Sequence, residues 1–222
     1  MPGGTMVRRR TAVSIAAAVL LAVSPALTAC GSGPAHPGAA AVVGNERISV
    51  STLQSAVNEV RSAQAKSPQA AQAGADSGKL SQQTLSMLVQ NQVIDRAAKD
   101  AGITVTPAEV QQSHAQALQQ AGGSEAQLEA ALLAQYDVVP SQLDAFLRTN
   151  IEVGKLIQSL GYQPGSDPGN TAVLAAITKT ADRLGVHINP RYGTWDAKKA
   201  IIGANSDPWV VTKTATAVNP AA

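Results

Sequence analysis

Apolar residues recur at helical spacing through the middle of the chain and predict a mainly α fold. The clearest stripe has an apolar residue at every fourth position and consists of Leu85, Val89, Val93 and Ala97. Because residues four apart lie on one face of an α-helix, this stripe predicts a helix that begins at Ser81. Gly102 is placed to end the helix, since glycine readily adopts the left-handed conformation of a C-terminal cap.

Start signals predict the helices that follow. Thr106 can cap a helix, Pro107 suits its first position, and Glu109 completes a capping box. Ser124 opens the next helix in the same way. Two later helices are predicted from Pro140 to Gly161 and from Asn170 to Gly185.

A small β element is predicted at each end of this helical region. Two β-prone pieces flank Gly44-Asn45, a pair that suits a tight two-residue turn, and predict a hairpin over Ala41–Ser49. A short helix is predicted from Ser51, and Lys66–Lys79, which lacks large apolar residues, is predicted as a loop. Val186–Ile188 is predicted as a strand that pairs with the hairpin.

Residues 1–29 have the pattern of a bacterial signal peptide. Arg8, Arg9 and Arg10 precede a weakly polar to apolar run, Thr11–Val23, which is shorter than the roughly 20 residues that a membrane-spanning helix needs. A proline then interrupts the helix. Met6 lies directly before the arginines and is an alternative start of the chain.

A cysteine lies where the signal peptide ends. Leu27-Thr28-Ala29-Cys30 resembles the bacterial lipobox, in which the cysteine receives a lipid and becomes the first residue of the mature protein. Cys30 is the only cysteine among 222 residues, so it has no disulfide partner within the chain. The resemblance implies a palmitate-bearing lipoprotein anchored through Cys30 to the extracytoplasmic face of the cell membrane. An ordinary signal peptide that ends near a cysteine is the alternative.

The charge of the chain argues against nucleic-acid binding. The chain has 17 lysine and arginine residues and 15 aspartate and glutamate residues. Three of the arginines lie in the signal peptide, so the remainder is close to neutral. Nucleic-acid binding needs basic residues clustered on one face, and the sequence has no such cluster there.

Two stretches resemble the N-terminal chaperone region of the SurA, PrsA and PpiD families. Val42-Val43-Gly44-Asn45-Glu46-Arg47-Ile48 is similar to the strand, turn and strand before the first helix of that region. The helix with the Leu85 stripe, followed by Gly102-Ile103-Thr104-Val105-Thr106-Pro107-Ala108-Glu109-Val110, has that region's spacing between two helices. The resemblance covers Ala41 to about Leu160. It implies a compact helical chaperone domain with a small N-terminal β-hairpin and a returning C-terminal helix and strand.

In those families a parvulin-type prolyl isomerase domain is inserted or appended. Only nine residues separate Leu160 from Asn170, whereas a self-folding domain needs some tens of residues. The 37 residues after Gly185 have no parvulin pattern either. We therefore predict a domain without isomerase activity.

The sequence has no pattern that predicts catalysis or a metal site. It lacks a Gly-x-Ser-x-Gly elbow, a phosphate-binding loop and a His-Glu-x-x-His motif. His114 and His187 are far apart in sequence and have no cysteine partners, which makes them poor metal ligands. We predict no enzyme activity, no metal and no cofactor.

Few large side chains are candidates for contact with an unfolded polypeptide. Phe146, Trp195 and Trp209 are selected because aromatic residues dominate interface energetics. Phe146 also lies on the apolar stripe of its helix, so a core position is its alternative, and Trp195 can instead hold the C-terminal segment against the domain. An exposed apolar groove between the helices Ser81–Ala101 and Pro140–Ser159 would favour the binding of an unfolded polypeptide.

These features predict four segments and one leading function. The segments are a signal peptide over 1–29, a flexible tether over 30–40, a SurA-like helical domain over 41–190 and a partly disordered extension over 191–222. The leading function is a lipid-anchored chaperone that binds unfolded exported polypeptides, and the alternative is an envelope protein that docks one folded partner. A transport lipoprotein is not supported, because the chain has no βαβ alternation. A residual isomerase is not supported, because no parvulin domain is inserted between the helices.

Overall fold

A computed structural model describes residues 37–67 and 77–203 of the chain. Its strands are β1 (Ala39–Val43), β2 (Glu46–Ser49), β3 (Val186–Ile188), β4 (Thr194–Asp196) and β5 (Ile201–Gly203). Its α-helices are α1 (Val50–Lys66), α2 (Ser77–Asp100), α3 (Pro107–Gln120), α4 (Glu125–Tyr136), α5 (Leu143–Ser159) and α6 (Asp167–Leu184). The prediction of a mainly α fold is confirmed.

The predicted hairpin and its third strand form one antiparallel sheet in the order β2-β1-β3. Val43 pairs with Glu46 across the turn, where Gly44 has a φ of 61°, the left-handed region that glycine favours. On the other edge of β1, Ala41 pairs with Ile188. All five residues of β1 are buried. The strand nearest the N-terminus is therefore the central strand of the sheet.

The main core surrounds α2. Leu85, Val89 and Val93 are each 0% exposed, as the four-residue stripe predicts. Neighbouring elements cover this stripe from several sides: α2 packs against α1, α5, α6, β1 and β5. The helices α1, α5 and α6 therefore pack around α2.

A smaller second core joins α3, α4 and the first half of α5. Its buried residues are Val110, Leu128, Leu143 and Leu147. The second half of α5 contributes Leu156 and Ile157 to the main core instead. The helix α5 therefore connects the two cores, and it fixes α3 and α4 against the rest of the domain.

The capping box that begins α3 is present as predicted. The backbone N–H of Glu109 donates to Thr106 Oγ1 (3.3 Å), and the backbone N–H of Thr106 donates to Glu109 Oε2 (2.9 Å). Lys155 Nζ on α5 lies 2.6 Å from Glu109 Oε1. The Lys155 ammonium and the Thr106 donors together lower the pKa of Glu109 to about 2. The box thus holds α3 to α5 as well as starting the helix.

Two helix boundaries and one loop differ from the prediction. The helix α1 continues to Lys66 and α2 begins at Ser77, so the loop predicted over Lys66–Lys79 is too long at both ends. The last helix begins at Asp167 rather than after Asn170, because Ser166 Oγ accepts from the backbone N–H of Gly169 (3.2 Å). The cap is therefore Ser166, four residues before the predicted Asn170.

The hairpin of β4 and β5 was not predicted from the sequence. Its strands pair Trp195 with Ile202, and Ala200 and Ile202 are buried in the main core. Side chains of α2 hold it: Gln90 Nε2 donates to the carbonyl of Ala200 (2.7 Å), and Gln82 Nε2 donates to that of Ile202 (3.2 Å). The domain therefore includes residues as far as Gly203.

Replacing Gly193 with alanine is expected to loosen this hairpin. Gly193 has a φ of 125°, and an added Cβ would overlap the carbonyl oxygen of Gly203 and lie 2.8 Å from Ile202 Cγ2. We expect the free energy of unfolding to fall by about 2 kcal/mol, measured by urea denaturation. Gly154→Ala is the control: this helical glycine has no atom within 4 Å of an added Cβ, so its replacement should raise stability by up to about 1 kcal/mol. Equal effects of the two changes would contradict the prediction.

Candidate functional site: a groove between α1 and α4

An open groove of about 820 Å³ runs between α1 and α4 and ends at the turn Pro140–Gln142. We call it the α1–α4 groove. Its apolar residues are Ala63, Ala126, Ala130, Leu133, Val139 and Pro140. Its polar and charged residues are Ser55, Asn58, Glu59, Ser62, Lys66, Ser67, Glu129 and Ser141. The groove therefore combines an apolar surface with a polar border.

The deepest residues of the groove are apolar. Leu133 and Val139 are buried and belong to the main core, and Ala63 and Ala130 are half-buried beside them. We call these four residues the floor. Alanine methyl groups are small, so the floor leaves room above it for a larger apolar side chain from another molecule.

Two hydrogen bonds hold the two sides of the groove in place. Gln64 Nε2 on α1 donates to Asp137 Oδ1 (2.9 Å), directly after α4. Ser141 Oγ donates to Glu59 Oε2 on α1 (3.0 Å). Asp137 has a φ of 55°, which makes it the left-handed cap of α4. The turn of the chain after α4 is thus tied to α1 at two places, which fixes the width of the groove.

The aromatic candidates lie away from the groove. Phe146 is half-buried against the second core, and its ring centroid is 5.4 Å from that of Tyr136, which is 50% exposed. Trp195 is half-buried against the main core, and its indole N–H has no hydrogen-bond partner among the described residues. Both side chains pack against a core, and their contact with a client stays a prediction. Cys30 and Trp209 lie outside the described residues.

An exposed apolar groove between α2 and α5 is absent from the described part of the chain. The two helices pack directly on each other. Glu152 of α5 lies in this interface and is only 6% exposed. Burial raises its pKa, and the nearby carboxylate of Asp95 adds to that effect. The groove that would have favoured client binding here is not formed, because α2 and α5 bury their apolar stripes against each other and against neighbouring elements.

The histidines of the described ranges lie on different elements, His114 on α3 and His187 on β3. His114 Nε2 lies 2.9 Å from Glu125 Oε1 on the next helix, which is a structural contact between α3 and α4. His187 is exposed on β3. Across residues 37–67 and 77–203, no group of three histidine, cysteine, aspartate or glutamate side chains is placed to hold a metal ion. The same ranges contain no helix long and apolar enough to cross a bilayer.

Comparison with known proteins identifies the fold that carries the groove. The profile of the SurA-like N-terminal domain family matches residues 5–157, more than half of the chain. The chain belongs to this family. No curated protein and no solved structure gives a significant match.

Membership of the SurA-like N-terminal domain family confirms the resemblance found in the sequence. The family's domain is of the chaperone type and is not catalytic. The match ends inside α5, so α6, β3 and the β4–β5 hairpin lie beyond it. The α1–α4 groove, in contrast, lies entirely within the matched residues.

Proposed function

We propose that the protein is a lipid-anchored chaperone that holds unfolded exported polypeptides and does not isomerise prolyl bonds. The observation that carries this proposal is the open, apolar-floored α1–α4 groove in a domain of the SurA-like N-terminal family. An unfolded polypeptide exposes apolar side chains, and covering one of them on the floor removes apolar surface from water. The proposed activity is therefore binding alone.

The border of the groove suits an extended polypeptide backbone. Ser55, Ser62, Ser67 and Ser141 line it, and each hydroxyl can donate or accept a hydrogen bond. Hydrogen bonds to backbone groups do not depend on the sequence of the bound chain. A groove with few bulky side chains and several hydroxyl groups is therefore suited to many different clients.

The absence of isomerase activity is supported by the way α5 leads into α6. Ser159 ends α5 and Asp167 begins α6, so only a short loop connects them. The two helices then pack against each other and against α2. A parvulin domain has no place in this connection.

The lipid anchor is supported by the sequence around Cys30 and by the position of β1. The first strand begins at Ala39, so few residues separate it from Cys30. Nine residues span at most about 30 Å when fully extended. An anchor at Cys30 would thus hold the domain close to the membrane surface, where exported polypeptides emerge.

Filling the groove is expected to remove the chaperone activity. Ala130→Trp places a large side chain on the floor, where the alanine is half-buried. We expect residues 31–222 to suppress light scattering by a chemically unfolded client at stoichiometric ratio, and the variant to lose most of this suppression. Ala131→Trp is the matched control, because Ala131 is exposed on α4 and does not line the groove. It should retain the suppression.

The scattering experiment also separates the two candidate functions. Circular dichroism must first show that both variants are as helical as the unchanged protein. Equal suppression by all three proteins would place client binding elsewhere on the domain. No suppression by the folded, unchanged protein would refute the holdase, and the alternative of one folded envelope partner would then be tested by crosslinking in cells.

A further inference from the structure

The charges on the border of the α1–α4 groove are unequal. Glu59 lies on α1 and Glu129 on α4, so each of the two helices contributes one carboxylate. Lys66, in the last turn of α1, is the only cation among the lining residues. Neither carboxylate forms an ion pair with another residue in the described ranges. Both are therefore available to a bound molecule.

We infer that the groove selects polypeptide segments in which a bulky apolar residue is flanked by lysine or arginine. This inference rests on the proposed chaperone function and specifies its client. The floor supplies the preference for a bulky apolar residue. The small side chains of Ala63 and Ala130 leave space for it, and Leu133 and Val139 line this space with apolar surface. The carboxylates on both sides supply the preference for basic neighbours.

The spacing of the charges sets the length of the recognised segment. Glu59 and Lys66 are seven residues apart on α1, which corresponds to about 10 Å along the helix axis. An extended peptide covers this distance with about three residues. Glu59 on α1 and Glu129 on α4 each offer a carboxylate to one basic neighbour of the apolar residue, while Lys66 disfavours a further basic residue beyond this segment.

Binding of two labelled octapeptides tests this inference. Both have a leucine–phenylalanine centre, flanked on each side by lysine in one and by glutamate in the other, and serine and glycine elsewhere. Fluorescence anisotropy with the full chain in a nonionic detergent measures both dissociation constants. We expect the lysine peptide to bind about fivefold more tightly at low salt, because two exposed ion pairs contribute on this scale. The ratio of the two dissociation constants should approach one at 0.5 M salt, because salt screens the ion pairs.

A double variant identifies the groove as the source of the preference. Glu59→Gln with Glu129→Gln removes both charges, and glutamine at position 59 can still accept the hydrogen bond from Ser141. This variant should bind the two peptides equally. Asp144→Asn with Asp182→Asn is the control: it removes the same charge from exposed positions outside the groove and should keep the ratio.

Three results would overturn the inference. They are tighter binding of the glutamate peptide, a preference for lysine that survives the Glu59 and Glu129 changes, and no binding of either peptide. The scattering experiment separates these from failure of the proposed function. If the groove-dependent suppression of scattering persists while the peptide preference is missing, the chaperone proposal stands and the basic-flank specificity is wrong.

Discussion

Replacing Cys30 with serine is expected to abolish incorporation of a labelled fatty acid into the protein. The proposed lipid is attached through a thioether, and a serine hydroxyl cannot form that bond. Because the lipobox cleavage follows lipid attachment, the variant should also keep its signal segment, and its mass should be that of the uncleaved chain without a lipid. Metabolic labelling followed by intact-mass measurement of the purified protein gives both results.

A second cysteine elsewhere provides the control for this experiment. The double variant Cys30→Ser with Ser159→Cys restores one thiol to the chain at an exposed position at the end of α5. It should remain unlabelled, because the lipobox position and not the thiol alone directs the modification. Labelled Cys30→Ser protein, or an unlabelled wild-type protein cleaved elsewhere, would refute the anchor and favour an ordinary signal peptide.

Replacing Leu85 with alanine is expected to cause the largest loss of stability of any change proposed for this domain. Leu85 is 0% exposed on α2, the helix that the main core surrounds. Removing its branched side chain loses transfer free energy and leaves a cavity that the surrounding helices cannot fully close. We expect the free energy of unfolding to fall by about 3 kcal/mol in urea denaturation.

Leu174→Ala is the matched control for this prediction. Leu174 lies on α6 and is 40% exposed, so the same change in side chain removes much less buried surface. Its effect should be below about 1 kcal/mol. A loss at position 85 as small as that at position 174 would show that α2 does not organise the core as its contacts indicate.

The elements with both a periodic stripe and a local stop signal were predictable. The helix α2 ends at Asp100, just before the predicted cap Gly102, which has a φ of 69°, and α3 begins with the Thr106 capping box. The Gly44-Asn45 turn determined its hairpin in the same way. These signals are local, since each depends on residues within one turn of the chain.

The groove was not predictable because neither of its sides has a sequence signal. Its α1 side consists of serine, alanine, asparagine and charged residues, which are typical of any exposed helix face. The apolar stripes of α2 and α5 made this pair a candidate for a groove, whereas the structure has direct packing there. Apolar surface indicates where helices pack together, but it does not show which pair of helices leaves an open groove between them.

The β4–β5 hairpin was missed for a different reason. Its strands have three residues each, and their burial depends on hydrogen bonds from Gln82 and Gln90, which are far away in sequence. Glutamine on a helix face gives no indication that it will bind a distant backbone. Such contacts exist only after the chain has folded, so local propensity does not report them.

The central position of β1 has a consequence for the order in which an exported chain can fold. In the proposed export, Ala41 would leave the translocation channel early and would pair with β2 at once, but its other partner, Ile188, would emerge only after the helices α1 to α6. Until then one edge of β1 lacks its partner strand, and the closure of so long a loop is slow. During the proposed export, this domain would thus expose an unpaired strand edge of the kind that it is proposed to hold in others.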